Sequence, residues 1–140
     1  MKISTKGRYS LRMMIDLAQH YDENFISLKE ISERQGISKK YLEQIIPFLN
    51  RSHLLITNRG HMGGYKLAKK PSEITVWEIL LCAEGSMCPV SCMEHDPSTC
   101  ERYENCLTIS IWEEFYQLTK DYFSGITLED LLNKEPCNSL

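Results

Sequence analysis

Hydrophobic and polar positions along the chain follow a helical spacing in most stretches and a strand-like spacing in one. Near the N-terminus, apolar residues repeat every three or four positions, as on one face of a helix. This stripe predicts a helix that begins after Thr5 as its cap. Its members are Leu11, Met14, Leu17, Ala18 and Tyr21. Lys6, Arg8 and Arg12 lie near the start of the same helix, where we expect them to contact phosphates rather than to form plain surface.

Residues 27–50 have the pattern of two short helices joined by a tight turn. Ser27 and Glu30 form a capping box, and Gly36 suits the left-handed residue that ends a helix. Ser38 caps the second helix, whose apolar residues again repeat at helical spacing. We interpret the pair as a helix-turn-helix, whose second helix presents its N-terminal side chains to the major groove of DNA. The polar side chains in that position are Ser38, Lys39, Lys40, Glu43 and Gln44.

Two short runs of β-forming residues, 54–57 and 65–67, flank a glycine-rich turn. A hairpin that directly follows a helix-turn-helix is typical of the wing of a winged helix. Arg59 lies at its tip, where we expect it to enter the minor groove. A two-helix hairpin with a solvated face, and a solvated turn arginine, are the alternatives that these residues leave open.

Two further helices are predicted in the second half of the chain. Thr75 and Glu78 form a capping box for a helix that ends at Glu84 and is apolar on almost every side, so we expect it to be buried. Residues 107–123 predict a helix about 26 Å long at ~1.5 Å per residue. One apolar stripe of this helix contains Leu107, Ile111, Phe115, Leu118 and Tyr122, and a second contains Trp112, Tyr116 and Phe123.

These two stripes together are wider than one small domain covers, so we expect one to pack on its own chain and the other on a second copy. The predicted dimer interface consists of Ile111, Trp112, Phe115, Leu118 and Tyr122. A single larger core is the alternative. Thr127 and Asp130 cap a last short helix, and the residues after it, including Cys137, are predicted to form a loose tail.

The fold class predicted from these elements is mainly α with a small β-hairpin wing. It combines a winged helix-turn-helix DNA-binding domain with a long dimerisation helix. We divide the chain into the DNA-binding domain at 1–74, a connecting helix at 75–85, a cysteine-rich loop at 86–106, the dimerisation and short terminal helices at 107–134, and a tail at 135–140.

The distribution of charge separates the two halves of the chain. Residues 1–70 carry 13 Lys and Arg against 6 Asp and Glu, which gives +7, whereas residues 71–140 carry 3 against 13, which gives −10. A basic front half indicates a polyanionic partner for that half only. A chance division of solvated charge is the alternative.

The sequence shows no secretory signal and no apolar stretch of ~18 residues, so we expect a cytoplasmic protein. In that reducing compartment, its six cysteines are better suited to metal binding or redox sensing than to disulfides.

Four of the cysteines lie within the loop at 86–106, and residues 87–105 have neither a helical nor a strand period. Cys88, Cys92, Cys100 and Cys106 have the spacing C-x3-C-x7-C-x5-C. Soft thiolates select zinc, copper(I) or iron–sulfur clusters. The sequence lacks the paired CxxC motifs typical of zinc, and the wide, uneven spacing favours an exposed iron–sulfur cluster. Zinc, a thiol switch and no chemical role remain open on this chemistry.

Five segments resemble the Rrf-two-type family of bacterial winged-helix regulators. The matching segments are MKISTKGRYSLRMMIDLA, ISERQGISKKYLEQI, NRGHMGGYKLAKKP, ITVWEIL and CERYENCLTISIW. The resemblance covers roughly residues 1–133 and is strongest to iron–sulfur cluster regulators of the IscR type. It implies a homodimer that binds palindromic operators in double-stranded DNA.

Carried over residue by residue, the resemblance implies that Glu43 and Gln44 face bases and that Arg59 is the wing arginine. It also implies that the iron–sulfur ligands are Cys92, Cys100 and Cys106. The family's fourth ligand, a histidine, corresponds to Ile109 here. Cys88, slightly favoured, and His95 are the candidates to replace it, and a solvent-derived or small-molecule ligand is a further option.

We therefore expect a cluster-dependent transcriptional regulator, a repressor, that responds to cluster, iron, redox or nitric oxide status. A 2Fe-2S cluster is favoured over a 4Fe-4S cluster, with zinc as the alternative. The alternative function is a CymR-like regulator of cysteine or sulfur metabolism, controlled by a protein partner or by thiol oxidation. The sequence contains no nucleophile–base pair, phosphate-binding loop or catalytic carboxylate pair, so an enzyme is not expected.

Overall fold

The computed structural model describes residues 1–22, 24–96 and 99–136. Within these ranges the chain forms helices and one antiparallel hairpin. They are α1 (Thr5–Gln19), α2 (Leu28–Gln35), α3 (Lys39–Arg51), β1 (Leu55–Asn58), β2 (Gly64–Leu67), α4 (Val76–Glu84), α5 (Ile109–Ser124) and α6 (Leu128–Leu132). The predicted fold class is confirmed. Cys137 and the rest of the predicted tail after Pro136 lie outside the described residues.

Side-chain caps define the first three helices. The predicted cap of α1, Thr5, is wrong by one residue, because the extended Ser4 places its hydroxyl where it accepts from the Gly7 N–H at 3.1 Å. The capping box of α2 is present, and Gly36 ends that helix in the left-handed conformation at φ 63°. Ser38 caps α3, as predicted.

The hairpin pairs Leu55 with Leu67 and Asn58 with Gly64, so the turn between the strands comprises residues 59–63. A further bridge joins Ile26 to Tyr65, with N–O distances of 2.8 and 3.0 Å. A Cβ atom on Gly64 would lie 2.2 Å from the Ile26 carbonyl oxygen, so only glycine permits this approach. The wing is therefore fastened at its base to the segment before α2.

One hydrophobic core joins α1, α2, α3, the hairpin, α4 and α6. Its fully buried side chains include Met13 and Met14 of α1, Leu42 and Ile45 of α3, and Leu128 of α6. Because Leu128 is fully buried, the short terminal helix packs into the core of the front half rather than extending away with α5.

The two helices of the second half differ in their surroundings. The α4 capping box and the limits Val76–Glu84 agree with the prediction, and five of its side chains are buried. The long helix α5 begins at Ile109, two residues later than predicted, because Thr108 occupies the N-cap position. Among its described residues α5 has no buried side chain. In the described part of the chain, no helix has the length and apolar character needed to span a membrane.

Candidate DNA interface and cysteine loop

The exposed side of α3 carries the side chains predicted to face DNA. Ser38, Lys39, Lys40, Glu43 and Gln44 are all exposed. Leu42, Ile45 and Leu49 on the other side of the helix are fully buried. The helix is thus held by its apolar face, and its N-terminal polar side chains are free to approach a major groove.

The start of α1 packs beside α3 through aromatic contacts. The Lys6 ammonium lies 4.1 Å from the centroid of the Phe48 ring, a cation–π contact. Tyr9 packs edge-on against Tyr41, with ring centroids 5.2 Å apart, and the Arg12 guanidinium lies 5.3 Å from the Tyr9 ring. The basic side chains of α1 and the beginning of α3 therefore share one surface.

A buried carboxylate joins α1 to α2. The sequence analysis did not predict this contact. Asp16 is fully buried and accepts two hydrogen bonds from the Arg34 guanidinium, at 2.7 and 3.0 Å, and one from the Gln35 amide at 3.0 Å. The Arg12 guanidinium donates to the Gln35 carbonyl oxygen. A single Asp within the apolar stripe of α1 was the available signal, because a buried charge requires a partner.

Arg59, predicted to enter a minor groove, is exposed in the turn of the wing. The turn is closed tightly, because a Cβ atom on Gly63 would lie 2.4 Å from the Asn58 carbonyl oxygen. At the base of the wing, the Lys66 ammonium lies 5.1 Å from the Phe25 ring centroid. The wing is thus compact and carries an exposed arginine in its turn.

The cysteine loop joins α4 to α5, and its described residues include short 3-10 turns at Ser91–Met93 and Tyr103–Asn105. Cys92 is exposed, and Cys88, Cys100 and Cys106 are half-buried. Across residues 1–22, 24–96 and 99–136, no three His, Cys, Asp or Glu side chains are close enough to hold a metal ion. The structure therefore does not bring the three predicted ligands into one group.

Two of these thiols have defined neighbours. The Cys106 sulfur lies 3.5 Å from the Thr108 hydroxyl, and hydrogen bonds from that hydroxyl and the Thr108 N–H lower the pKa of the Cys106 thiol. The Cys88 thiol donates to the Met93 carbonyl oxygen at 3.6 Å, which directs it back into its own turn. A lowered pKa favours the thiolate, the form that binds metals.

A small pocket lies between the loop and the first turns of α5. Its lining residues are Cys92, Met93, His95, Tyr103, Ile109 and Glu113. The Tyr103 hydroxyl donates to the Glu113 carboxylate at 3.3 Å, and the charge of Glu113 raises the pKa of Tyr103. The pocket thus places Cys92 and His95 beside Ile109.

Cys82 is separate from these thiols. It lies on α4 and lines a different cavity together with Ser52, Leu54, Glu78 and Leu81. Burial raises the pKa of its thiol, although the Ser52 hydroxyl acts in the opposite direction. It is half-buried and packs against the hydrophobic core.

The two apolar stripes of α5 have different surroundings. Tyr116 packs edge-on against Trp77 with ring centroids 5.7 Å apart, and Phe123 packs on the same small cluster around α4. The five residues of the predicted dimer interface are all exposed, from 37% for Trp112 to 69% for Leu118. Leu107, just before the helix, is 92% exposed.

A contact that the sequence reasoning missed joins the end of α4 to the start of α1. The Glu84 carboxylate accepts from the Ser4 N–H at 3.0 Å and from the Ser4 hydroxyl at 2.7 Å. Ser4 and Glu84 are 80 positions apart in the chain, so patterns of neighbouring residues cannot predict this contact. The glycine in the first turn of α1, Gly7, was the only available signal of a close approach.

A helix-turn-helix with a wing, a basic surface and an exposed long helix define a winged-helix DNA-binding regulator. The profile of the Rrf2 family, described as "Iron-dependent Transcriptional regulator", matches residues 3–134. The chain belongs to the Rrf2 family of transcriptional regulators.

Named relatives agree with this assignment. Protein rrf2 of Nitratidesulfovibrio vulgaris is 38% identical over 99% of this chain and 95% of its own length. The structure of CymR, the global cysteine regulator of B. subtilis, is 36% identical with a TM-score of 0.77, over 97% of this chain and 99% of that one. T. potens IscR is 38% identical with a TM-score of 0.73, over 94% and 86%. These relatives and the fold are those of transcriptional regulators and not of enzymes.

Proposed function

We propose that this protein is an iron–sulfur cluster-dependent repressor that binds palindromic operators as a homodimer. The observation that carries the proposal is the placement of Cys92, Cys100 and Cys106 in one loop that joins the buried helix α4 to the exposed helix α5, in a member of the Rrf2 family. Each part of the proposal is supported by a different region of the molecule.

DNA reading by α3 and the wing is supported by exposure and charge. Glu43 and Gln44 are exposed one turn into α3, where side chains meet base edges. Lys6, Arg8 and Arg59 extend the basic surface on both sides of that helix, where they are suited to phosphates and to a minor groove. The +7 charge of residues 1–70 supports the same orientation.

The homodimer is supported by the apolar face that α5 exposes. Ile111, Phe115, Leu118 and Tyr122 lie on one side of the helix and are 41–69% exposed. Exposed apolar residues that continue along about three turns of a helix are typical of an interface. A second copy supplies a matching face through two-fold symmetry, and two recognition helices then match the two halves of a palindrome.

The donor set suits an iron–sulfur cluster. Cys92, Cys100 and Cys106 would hold the cluster, which when bound supplies a covalent link between three separated points of the loop. The described residues of this loop form short turns rather than a longer helix or a strand, which suits a backbone that adapts to a cluster. The neighbours of Cys106 support its ionised form, since its pKa is lowered by Thr108.

For the fourth ligand, the pocket supports His95 over Cys88. His95 lines the same pocket as Cys92 and Ile109, whereas the Cys88 thiol is engaged with the Met93 carbonyl oxygen. Imidazole is an established ligand of iron in 2Fe-2S centres. We expect a His95→Ala variant to lose the absorption spectrum of the cluster or to shift it. A Cys88→Ala variant should keep the spectrum unchanged. The opposite pattern would assign Cys88.

In this proposal, cluster binding orders the cysteine loop, and the ordered loop changes the affinity for DNA. Cys88 follows the end of α4 by four residues, and Cys106 precedes α5 by three. Three ligands held at fixed separation restrict how α4 leads into α5. Because α5 is the proposed dimer helix, the spacing of the two recognition helices then depends on the loop, which couples two distinct sites.

The deciding experiment is anaerobic purification followed by absorption spectroscopy, iron and sulfide assays, and operator binding by fluorescence anisotropy. We expect a coloured protein whose spectrum and operator affinity both change when Cys92, Cys100 and Cys106 are replaced by Ala. A Cys82→Ala variant is the matched control, since its thiol lies outside the loop. A colourless protein with stoichiometric zinc, or an unchanged affinity in the triple variant, would overturn the proposal.

The second candidate is a regulator of cysteine metabolism controlled by a protein partner or by thiol oxidation. The likeness to B. subtilis CymR over nearly the whole of both chains favours it. The same protein preparation distinguishes the two candidate functions. The second candidate requires a cluster-free protein whose operator affinity responds to an added enzyme partner or to a thiol oxidant.

A further inference from the structure

The end of α4 is bonded to the first turn of α1. One oxygen of the Glu84 carboxylate accepts hydrogen bonds from both the N–H and the hydroxyl of Ser4, at 3.0 and 2.7 Å. Ser4 in turn is the N-cap of α1, and its hydroxyl accepts from the Gly7 N–H at 3.1 Å. A carboxylate in this position also interacts favourably with the positive end of the α1 dipole.

Packing holds the same end of α1 from a second side. Met87 is 3% exposed and belongs to the small cluster formed with Trp77 and Leu80. Ile3 packs against that cluster. The two residues directly before α1 are therefore both held by α4 and the turn that follows it, Ser4 through hydrogen bonds to Glu84 and Ile3 through apolar packing on the cluster that includes Met87.

Gly7 makes the bond to Glu84 sterically possible. A Cβ atom at this position would lie 2.2 Å from the Glu84 carboxylate oxygen and 3.0 Å from the side chain of Ile3. Gly7 itself is buried in the first turn of α1. Any larger residue there would displace the carboxylate, which is the end of a flexible side chain.

The charge of Glu84 does not by itself suit a DNA-binding surface. Lys6 and Arg8, the proposed phosphate contacts, flank Gly7 in the same turn. A carboxylate nearby lowers the positive potential that attracts a polyanion. The geometry of Glu84 offers a different explanation. Its carboxylate accepts two hydrogen bonds from Ser4, the cap residue of the helix that carries Lys6 and Arg8.

We infer that Glu84 is a positioning residue for DNA binding, because its bonds to Ser4 fix the first turn of α1 so that Lys6 and Arg8 are held toward the phosphates beside α3. The inference rests on the proposed DNA-binding function. It assigns to α4 a role in shaping the DNA interface, from the residue four positions before the first loop cysteine.

The sign of the effect of Glu84→Ala tests this inference. Removal of a carboxylate that acted only through its charge would tighten DNA binding. Removal of the positioning bonds should weaken DNA binding by about tenfold. It should also lower the log–log slope of affinity against salt by about 1 for each phosphate that Lys6 or Arg8 no longer neutralises. The measurement is fluorescence anisotropy of a labelled duplex, selected from a random pool by the unaltered full-length protein, at several salt concentrations.

Three further variants make the test specific. Glu84→Gln keeps an oxygen that accepts from Ser4 and should restore the affinity and the salt slope. Gly7→Ala should weaken binding like Glu84→Ala, and the double variant should be no weaker than Glu84→Ala alone, because the severe clash, at 2.2 Å, is with the glutamate, whereas the 3.0 Å contact with Ile3 needs only a small shift. Glu33→Ala removes an exposed carboxylate from α2 and serves as the charge control. Thermal unfolding shows that each variant is folded at the assay temperature.

The possible outcomes separate the inference from the proposed function. An unaltered protein that shows no salt-dependent DNA binding contradicts the proposed function. An unaltered protein that binds, together with a Glu84→Ala variant that binds equally well or more tightly, overturns the inference alone. Additive losses of affinity in the Gly7→Ala and Glu84→Ala double variant also overturn it.

Discussion

The two helices on either side of the cysteine loop are both rich in apolar residues, but only one finds its partners within the chain. Helix α4 buries five of its nine residues, while α5 buries none of its 16. Helix α4 lies against α1, α3 and α5. Helix α5 packs on the cluster around α4 through its Tyr116 and Phe123 side.

This difference shows that apolar content does not decide burial. A helix that is apolar on nearly every side must be surrounded, and the short α4 is surrounded by elements of its own chain. The longer α5 has a second stripe for which the described part of the chain provides no cover. In our proposal a second copy covers it, so that α4 stabilises the monomer and α5 the dimer.

The largest effect is expected from a charge in the exposed stripe of α5. Leu118→Asp should convert the proposed dimer into a folded monomer and weaken binding to a palindromic duplex by about 100-fold, because two half-sites are no longer bound together. Analytical ultracentrifugation and anisotropy measure both effects. Lys120→Asp, on the opposite side of the helix, is the control, and a dimer that persists in the Leu118→Asp variant would contradict the assignment.

A truncation in α4 should affect the free energy of unfolding instead. Ile79 is fully buried, so Ile79→Ala is expected to cost about 2–5 kcal/mol in a urea titration. Ile111→Ala on α5, where Ile111 is 56% exposed, is the matched substitution and should cost about 0.5 kcal/mol or less in a Leu118→Asp background. Equal losses of stability at the two positions would remove the distinction between the helices.

The N-caps of the two helices offer a finer comparison. Thr75 caps α4 with a full capping box, whereas Thr108 at the start of α5 makes no side-chain capping bond. Thr75→Ala should therefore destabilise the protein by about 1 kcal/mol, and Thr108→Ala should leave the stability of the cluster-free protein nearly unchanged. Chemical denaturation of both variants in parallel checks this expectation.

The smallest effect concerns pH and the carboxylate of the α4 cap. Burial raises the pKa of Glu78, but the hydrogen bond from the Thr75 N–H and the contact with Lys69 outweigh burial and leave that pKa below its ordinary value of 4.5. Glu78 thus contributes stability that is present above pH 4.5 and is lost as pH falls through the lowered value. Glu78→Gln should reduce this part of the pH dependence, measured by thermal unfolding. An identical acid profile in both proteins would exclude a contribution from this cap.

Local patterns predicted the elements well where a single signal carried the information. The capping boxes at Ser27 and Thr75 predicted the starts of α2 and α4, and Gly36 predicted the turn between α2 and α3. The predicted starts of two helices were wrong by one or two residues. Ser4 and not Thr5 caps α1, and α5 starts after Thr108, because the cap residue depends on the approach of the chain before the helix.

Some features of the candidate site could be predicted from the sequence and others could not, because local patterns report only on residues near one another in the chain. Exposed positions of α3 and Arg59 of the wing follow from periodicity and turn composition. The Asp16–Arg34 pair and the bond of Glu84 to Ser4 do not, since each joins residues far apart in the chain. The pocket that groups Cys92 with His95 and Glu113 depends on how the loop folds against α5.

The sequence by itself determined the helix-turn-helix, the wing, the positions of most helix boundaries and the separation of charge between the halves, because these depend on residues near one another and on composition. Only the tertiary structure decided which apolar faces are covered, that α6 belongs to the core of the front half, and that α4 is bonded to the first turn of α1. Those features depend on contacts between distant segments, whose free energy is realised only when the chain brings them together.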